Sequence, residues 1–105
     1  MTCRVTLKIL KKLVEEIPDS AVLNATFANS LKAVNDIEPA IEHFQTAVKL
    51  APTSELYSLG LFHIFWSQGR QDDAFNEMKR FMAISDSADY REIVAGINSK
   101  WPHGV

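Results

Sequence analysis

The chain has 105 residues, of which 47% are hydrophobic, and its net charge at pH 7 is −2. This length and apolar share predict one small domain that buries a core without disulfides or a metal, and the single cysteine, Cys3, excludes an internal disulfide framework. Lysine and arginine are mixed with aspartate and glutamate, so no basic stripe exists to follow a phosphate backbone, and nucleic acid is not expected as a partner.

Helical periodicity begins near the first residue, and no strand pattern follows anywhere in the sequence. The first helix is predicted over about Val5 to Ile17 and ends at Pro18. Its lysines and glutamates interrupt the apolar run, which is unlike a signal peptide. The apolar segment Leu56–Trp66 is much shorter than the roughly 20 residues of a membrane-spanning helix. We therefore expect no membrane partner, and a cytoplasmic location that suits a lone cysteine.

The second and third helices are predicted to form a pair. The second helix runs from about Ala21 to Val34 after a cap at Ser20, and it ends at Asn35, a residue that tolerates the left-handed conformation. Asp36 is expected to cap the third helix, which stops before Pro52.

The fourth, fifth and sixth helices repeat this cycle. Ser54 caps the fourth helix and Gly69 ends it, as expected of a glycine that follows a helix. The fifth helix starts near Asp72 and stops at a break over residues 85–87. The sixth helix is predicted over about Ala88–Ser99.

The sequence also repeats itself with a period of about 34 residues, a length typical of stacked helix pairs. Placed without a gap, the segments 21–54 and 55–88 align small residues with small ones, large with large and turn residues with turn residues: Ala40 with Ala74, Phe44 with Met78, Leu31 with Phe65 and Asn35 with Gly69.

Two segments resemble a known family. Residues 40–47 followed by Pro52 resemble the second helix of a tetratricopeptide repeat (TPR), and residues 69–74 are similar to the turn between its two helices. The resemblance implies an all-α fold, a right-handed α-α superhelix of about three antiparallel helix pairs. The single domain would comprise a half repeat over 5–18, repeats over 21–54 and 55–88, and a terminal helix over 88–99.

The chain departs from the family pattern at several positions. Asn24 and Ser58 stand where the family prefers an aromatic residue early in the first helix, and Asp86 replaces the final proline of the second repeat. Leu59-Gly60 looks like the family's Leu-Gly pair but lies out of register with it. His43 is expected on a solvated helix surface.

In this family the first helix of each pair lines a concave groove that binds peptides or helices. The resemblance implies a mostly apolar groove in this chain, formed by residues on three leading helices: Asn29, Lys32, Leu56, Leu59, His63, Trp66, Tyr90, Ile93 and Ile97. The cations that clamp a peptide carboxylate in one subset of the family are missing from the second and third of these leading helices, which offer leucine and isoleucine instead, so that clamp is not expected. An apolar groove suits the nonpolar face of an amphipathic helix, with Trp66 and Tyr90 as aromatic anchors.

A plainer interpretation assigns part of this set to packing. The core of a compact six-helix bundle would also accommodate Leu56, Leu59, Ile93 and Ile97, because the apolar stripe of a helix normally packs against the core. Two further alternatives concern function. The open face of the first helix would serve a homodimer, and the half repeats at both ends would suit the interaction end of a larger multidomain protein.

Residues for catalysis are not found together in the sequence. Neither His43 nor His63 has another histidine or cysteine three or four residues away, and no glycine-rich phosphate loop exists. We therefore expect no catalytic residues, no metal and no cofactor. The expected function is that of a non-catalytic scaffold that binds a protein or peptide.

Overall fold

The computed structural model describes the backbone of residues 3–100 and the side chains of residues 5–96. These residues form six helices: α1 Cys3–Glu16, α2 Ala21–Ala33, α3 Ile37–Leu50, α4 Glu55–Ser67, α5 Gln71–Ile84 and α6 Ala88–Lys100. No strand occurs among the described residues. The prediction of an all-α fold is confirmed, and the predicted helix ends lie close to those observed.

The helices α2 and α4 begin on the same local structure. The Ser20 side chain accepts a hydrogen bond from the backbone N–H of Leu23 at 3.2 Å, and Ser54 accepts one from Tyr57 at 3.4 Å. Each bond satisfies a donor that the first turn of a helix leaves free. The two caps are separated by one full repeat period.

The same two helices also end alike. Asn35 and Gly69 have φ angles of 63° and 74°, in the left-handed region. The N–H of the residue after each of them bonds back to the carbonyl of Leu31 or Phe65 at 2.9 Å, which is the closure of a Schellman motif. This turn reverses the chain, so that α3 returns along α2 and α5 returns along α4.

The second helix of each pair starts differently from the prediction. Asp36 precedes α3 but makes no side-chain cap hydrogen bond. In α5 the helix begins at Gln71, and Asp72 and Asp73 lie inside its first turn. Their negative charges are favourable there because the N-terminus of a helix carries partial positive charge.

The helices pack mainly on their neighbours in the chain. The closest pairings are α2 with α3 and α4 with α5, followed by α1 with α2 and α3 with α4. Ala40 and Ala74 are completely buried in this packing, as expected of small residues at a close crossing. The molecule measures 46 × 26 × 20 Å, with a radius of gyration of 14.8 Å. A compact chain of this length would have a radius of about 13 Å, so the helices form an elongated stack.

Each helix pair is joined by one polar contact at the same place in the repeat. His43 Nδ1 lies 2.9 Å from Asn24 Oδ1, and Ser58 Oγ donates to Glu77 Oε2 at 2.6 Å. Ser58 and Glu77 are the repeat equivalents of Asn24 and His43. The departures at Asn24 and Ser58 therefore have a structural role, since a buried polar group needs a hydrogen-bond partner. The prediction that His43 is solvated is wrong, because its ring is partly buried against Phe27.

Within residues 3–100, no helix combines the length and the hydropathy that crossing a membrane requires.

Candidate binding surface

The position of α6 in the repeat is shifted by one residue. The Ser87 side chain accepts a hydrogen bond from the Tyr90 N–H at 3.1 Å, so Ser87 takes the capping role of Ser20 and Ser54. The step from Ser54 to Ser87 is one residue shorter than the step from Ser20 to Ser54. One residue turns a helix by about 100°. The side chains of residues 88–96 in α6 therefore point in different directions from those that the gap-free alignment predicts.

Tyr90 shows the consequence of this shift. Its side chain is fully buried, with ring centroids 5.5 Å from Phe62 and 5.8 Å from Phe81. It occupies the third position after the cap, as Leu23 and Tyr57 do in α2 and α4. The prediction that Tyr90 lies on the contact surface is wrong, because the shift turns it into the core.

A chain of hydrogen bonds anchors Tyr90. The single hydroxyl proton of Ser58 goes to Glu77, so the Tyr90 hydroxyl, 2.7 Å away, donates to Ser58 Oγ. Arg80 donates to both carboxylate oxygens of Glu77, to Oε1 at 2.9 Å and to Oε2 at 2.5 Å, and it donates to the Pro52 carbonyl at 3.1 Å. Burial raises the pKa of Tyr90 to about 12, because the phenolate would lose its water.

Three of the predicted residues meet in one cleft. Leu59 and His63 of α4 and Ile93 of α6 line a shallow cleft of about 410 Å³, together with Asp89 and Glu92. Both carboxylate side chains are exposed, one helical turn apart on α6. This acidic wall stands where the sequence prediction placed apolar residues, and the shortened segment before Ser87 was the only sequence signal of it.

The other predicted residues lie apart from this cleft or only partly on the surface. Leu56 is 75% exposed, and Val22 is 63% exposed at the equivalent place in α2. Trp66 is partly buried, with its ring stacked on Phe62 at 5.8 Å. Asn29 and Lys32 are exposed on α2 but do not line the cleft.

Ile97, the last residue of the predicted set, has a side chain that lies outside the described residues.

A second cleft of about 460 Å³ lies along α3, α4 and α5. Its buried apolar lining consists of Val48, Leu61 and Phe65, and two of its charged residues, Glu77 and Arg80, are paired with each other. Asp73 in this cleft is paired with Arg70, and Lys49 is exposed at the end of α3. In the part of the chain that the structure describes, no group of three His, Cys, Asp or Glu residues is arranged to hold a metal ion.

Neither a protein-family model nor a curated protein matches this chain. The exposed apolar side chains and the cleft between α4 and α6 are therefore the observations that bear on function.

Proposed function

We propose that the chain is a non-catalytic protein interaction module of the tetratricopeptide type. Its helix pairs stack into a right-handed superhelix, and the leading helices α2, α4 and α6 form a concave groove. The groove binds an amphipathic helix or an extended peptide from a partner protein.

The recurrence of local structure at the repeat period supports this architecture. Caps, left-handed turns and the polar contacts between paired helices all recur at the same offset. Packing between chain neighbours and an elongated shape are what a stack of helix pairs produces. The interval from Ser54 to Ser87 is one residue shorter than the repeat period, so α6 still begins on a serine cap but is rotated about its axis relative to the gap-free alignment.

The single observation that carries the binding proposal is an exposed apolar side chain on the helix that forms one side of a cleft. Leu56 is 75% exposed and lies one helical turn before Leu59 on α4, and Leu59 and Ile93 give the cleft an apolar lining. Covering one such leucine contributes roughly 1.5 to 3 kcal/mol. The wall of Asp89 and Glu92 adds a preference for a partner whose polar face is basic.

A peptide titration tests this proposal. The probe is a fluorescein-labelled helical peptide with leucines along one face and lysines on the other, and its scrambled version is the negative control. We expect saturable binding of the first peptide only, measured by fluorescence anisotropy. Leu56→Glu should weaken binding by about tenfold, since it removes apolar contact worth about 1.4 kcal/mol or more.

Ile84→Glu is the matched control for this experiment. Ile84 is 54% exposed at the C-terminal end of α5 and is not among the residues that line the cleft. The same substitution there should leave peptide affinity unchanged, with helical circular dichroism intact in both variants. Equal losses in the two variants, or equal binding of the scrambled peptide, would contradict the groove.

A further inference from the structure

The first helix carries an apolar face that nothing in the described structure covers. Leu10 and Val14 are buried in the core, whereas Val5 and Ile9 on the opposite side of α1 are 48% and 53% exposed. In α3, the residue equivalent to Ile9 is His43, which contacts the preceding helix. The exposed face of α1 therefore has the position of a surface that packs against another helix.

The charges beside Val5 and Ile9 are basic, since Lys8 and Lys12 are exposed and lie one turn apart on the flank of this stripe. Glu16 is also exposed and lies on the same face two turns beyond Ile9, at the C-terminal end of α1. The cleft between α4 and α6 has the complementary pattern, an apolar floor beside Asp89 and Glu92. The two surfaces belong to the first and last helices of the stack, so one molecule cannot readily bring them together.

We propose that the cleft between α4 and α6 binds α1 of a second copy of this chain. Val5 and Ile9 pack on Leu59 and Ile93 of that copy, and the lysines of α1 face its acidic wall. This inference rests on the proposed function and names the helix that the groove takes. Because the two surfaces differ, the contact is heterologous, and copies add head to tail.

The size of the contact sets the expected strength. One face of α1 on a shallow cleft covers less than the roughly 1,600 Å² of a standard stable interface. The association is therefore weak, depends on protein concentration and falls with added salt, since both charged partners are solvent-exposed.

Charge reversal on either surface tests the contact. Analytical ultracentrifugation of the full chain over a concentration series, at low and high salt, should show an average mass that rises with concentration and falls with salt. Lys12→Glu and Glu92→Lys should each weaken association several-fold, because each replaces an attraction with a repulsion. Lys49→Glu, on an exposed part of α3, is the control and should associate like the unaltered chain.

Mixing the two variants distinguishes this contact from a symmetric one. The Glu92→Lys protein keeps an unaltered α1 and the Lys12→Glu protein keeps an unaltered cleft, so an equimolar mixture should regain association. A symmetric contact between two copies of α1 predicts no loss in Glu92→Lys alone, and that result would overturn the proposal.

Failure of this inference can be separated from failure of the proposed function. A chain that stays monomeric at every concentration, yet binds the leucine–lysine peptide in a Leu56-dependent way, overturns only the self-association. A monomeric chain that binds neither peptide overturns both.

Discussion

Gly60 allows α4 to approach α3 more closely than any other residue would. A Cβ added at this position would lie 2.8 Å from Cε1 of Phe44, whose ring is only 2% exposed. The ring is enclosed by the core and has little space to move. This glycine therefore sets the spacing between the first helix pair and the second, a role separate from the family's Leu-Gly motif.

Substituting Gly60 tests this role. We expect Gly60→Ala to lower the free energy of unfolding by about 1 to 3 kcal/mol, because the added methyl overpacks a filled site. Gly96→Ala in α6 is the matched control, since its Cβ meets nothing within 4 Å. There the higher helix propensity of alanine should raise stability by about 0.5 to 1 kcal/mol. Urea unfolding of both variants measures the difference, and a neutral Gly60→Ala would argue against the close approach.

At the scale of helices, α6 is held to α4 and α5 through Tyr90. Its hydroxyl donates to Ser58, which donates to Glu77, so one hydrogen-bond chain joins three helices. The chain requires the protonated phenol, because a phenolate has no proton to donate. Docking of α6 is therefore coupled to the ionisation of Tyr90.

This coupling predicts a loss of stability at high pH. The folded chain keeps the Tyr90 proton up to about pH 12, whereas an unfolded tyrosine releases it near about pH 10. Between these values the unfolded state binds fewer protons, so the free energy of unfolding falls as pH rises. Its contribution is complete below about pH 10 and is lost as pH approaches 12.

Tyr90→Phe isolates this effect from the titration of other groups. The variant should be less stable by about 1 kcal/mol at neutral pH, because a hydrogen bond is lost. Its stability should also fall less between about pH 10 and about pH 12 than that of the unaltered chain. Chemical unfolding across this range measures both slopes, with Tyr57→Phe as the control. Identical slopes in Tyr90→Phe and the unaltered chain would contradict the coupling.

Elements were more predictable from the sequence than the directions of their side chains. Ser20, Ser54 and the turn residues Asn35 and Gly69 carry strong local signals, so helix existence and approximate ends followed from them. The register of α6 could not be predicted in this way. The repeat is one residue shorter before Ser87, which leaves the helical periodicity of α6 intact but rotates its side chains about the helix axis relative to the gap-free alignment. The polar partners of Asn24 and Ser58 lie on the following helix in each case, and periodicity within one helix cannot indicate them.

The candidate site shows the same division. The sequence prediction brought Leu59, His63 and Ile93 to one surface, and the structure places these three around one cleft. The sequence prediction missed Asp89 and Glu92, because the one-residue shift places these two side chains on the wall of the cleft where apolar residues were expected. Whether the cleft binds a partner stays a prediction.

At the scale of the whole molecule, the helices depend mainly on their neighbours. The closest packing runs from α1 to α5, and α6 makes fewer close approaches to the rest of the chain. In such a linear arrangement each element is stabilised by the interfaces on its two sides. In the part of the chain that the structure describes, α6 has neighbours on one side of the stack, α4 and α5, so we expect it to open without unfolding the centre.

Native-state hydrogen exchange tests this expectation. Amides in α2, α3 and α4 should show the highest free energies of opening, close to that of global unfolding, because each of these helices packs on both sides. Amides in α6 should exchange from a partly open state at lower free energy, and Tyr90→Phe should lower the protection of α6 more than that of α3. A compact bundle would behave otherwise, with all six helices protected to a similar degree. Mass spectrometry of peptic fragments distinguishes the two patterns, and uniform protection would contradict the linear stack on which the groove depends.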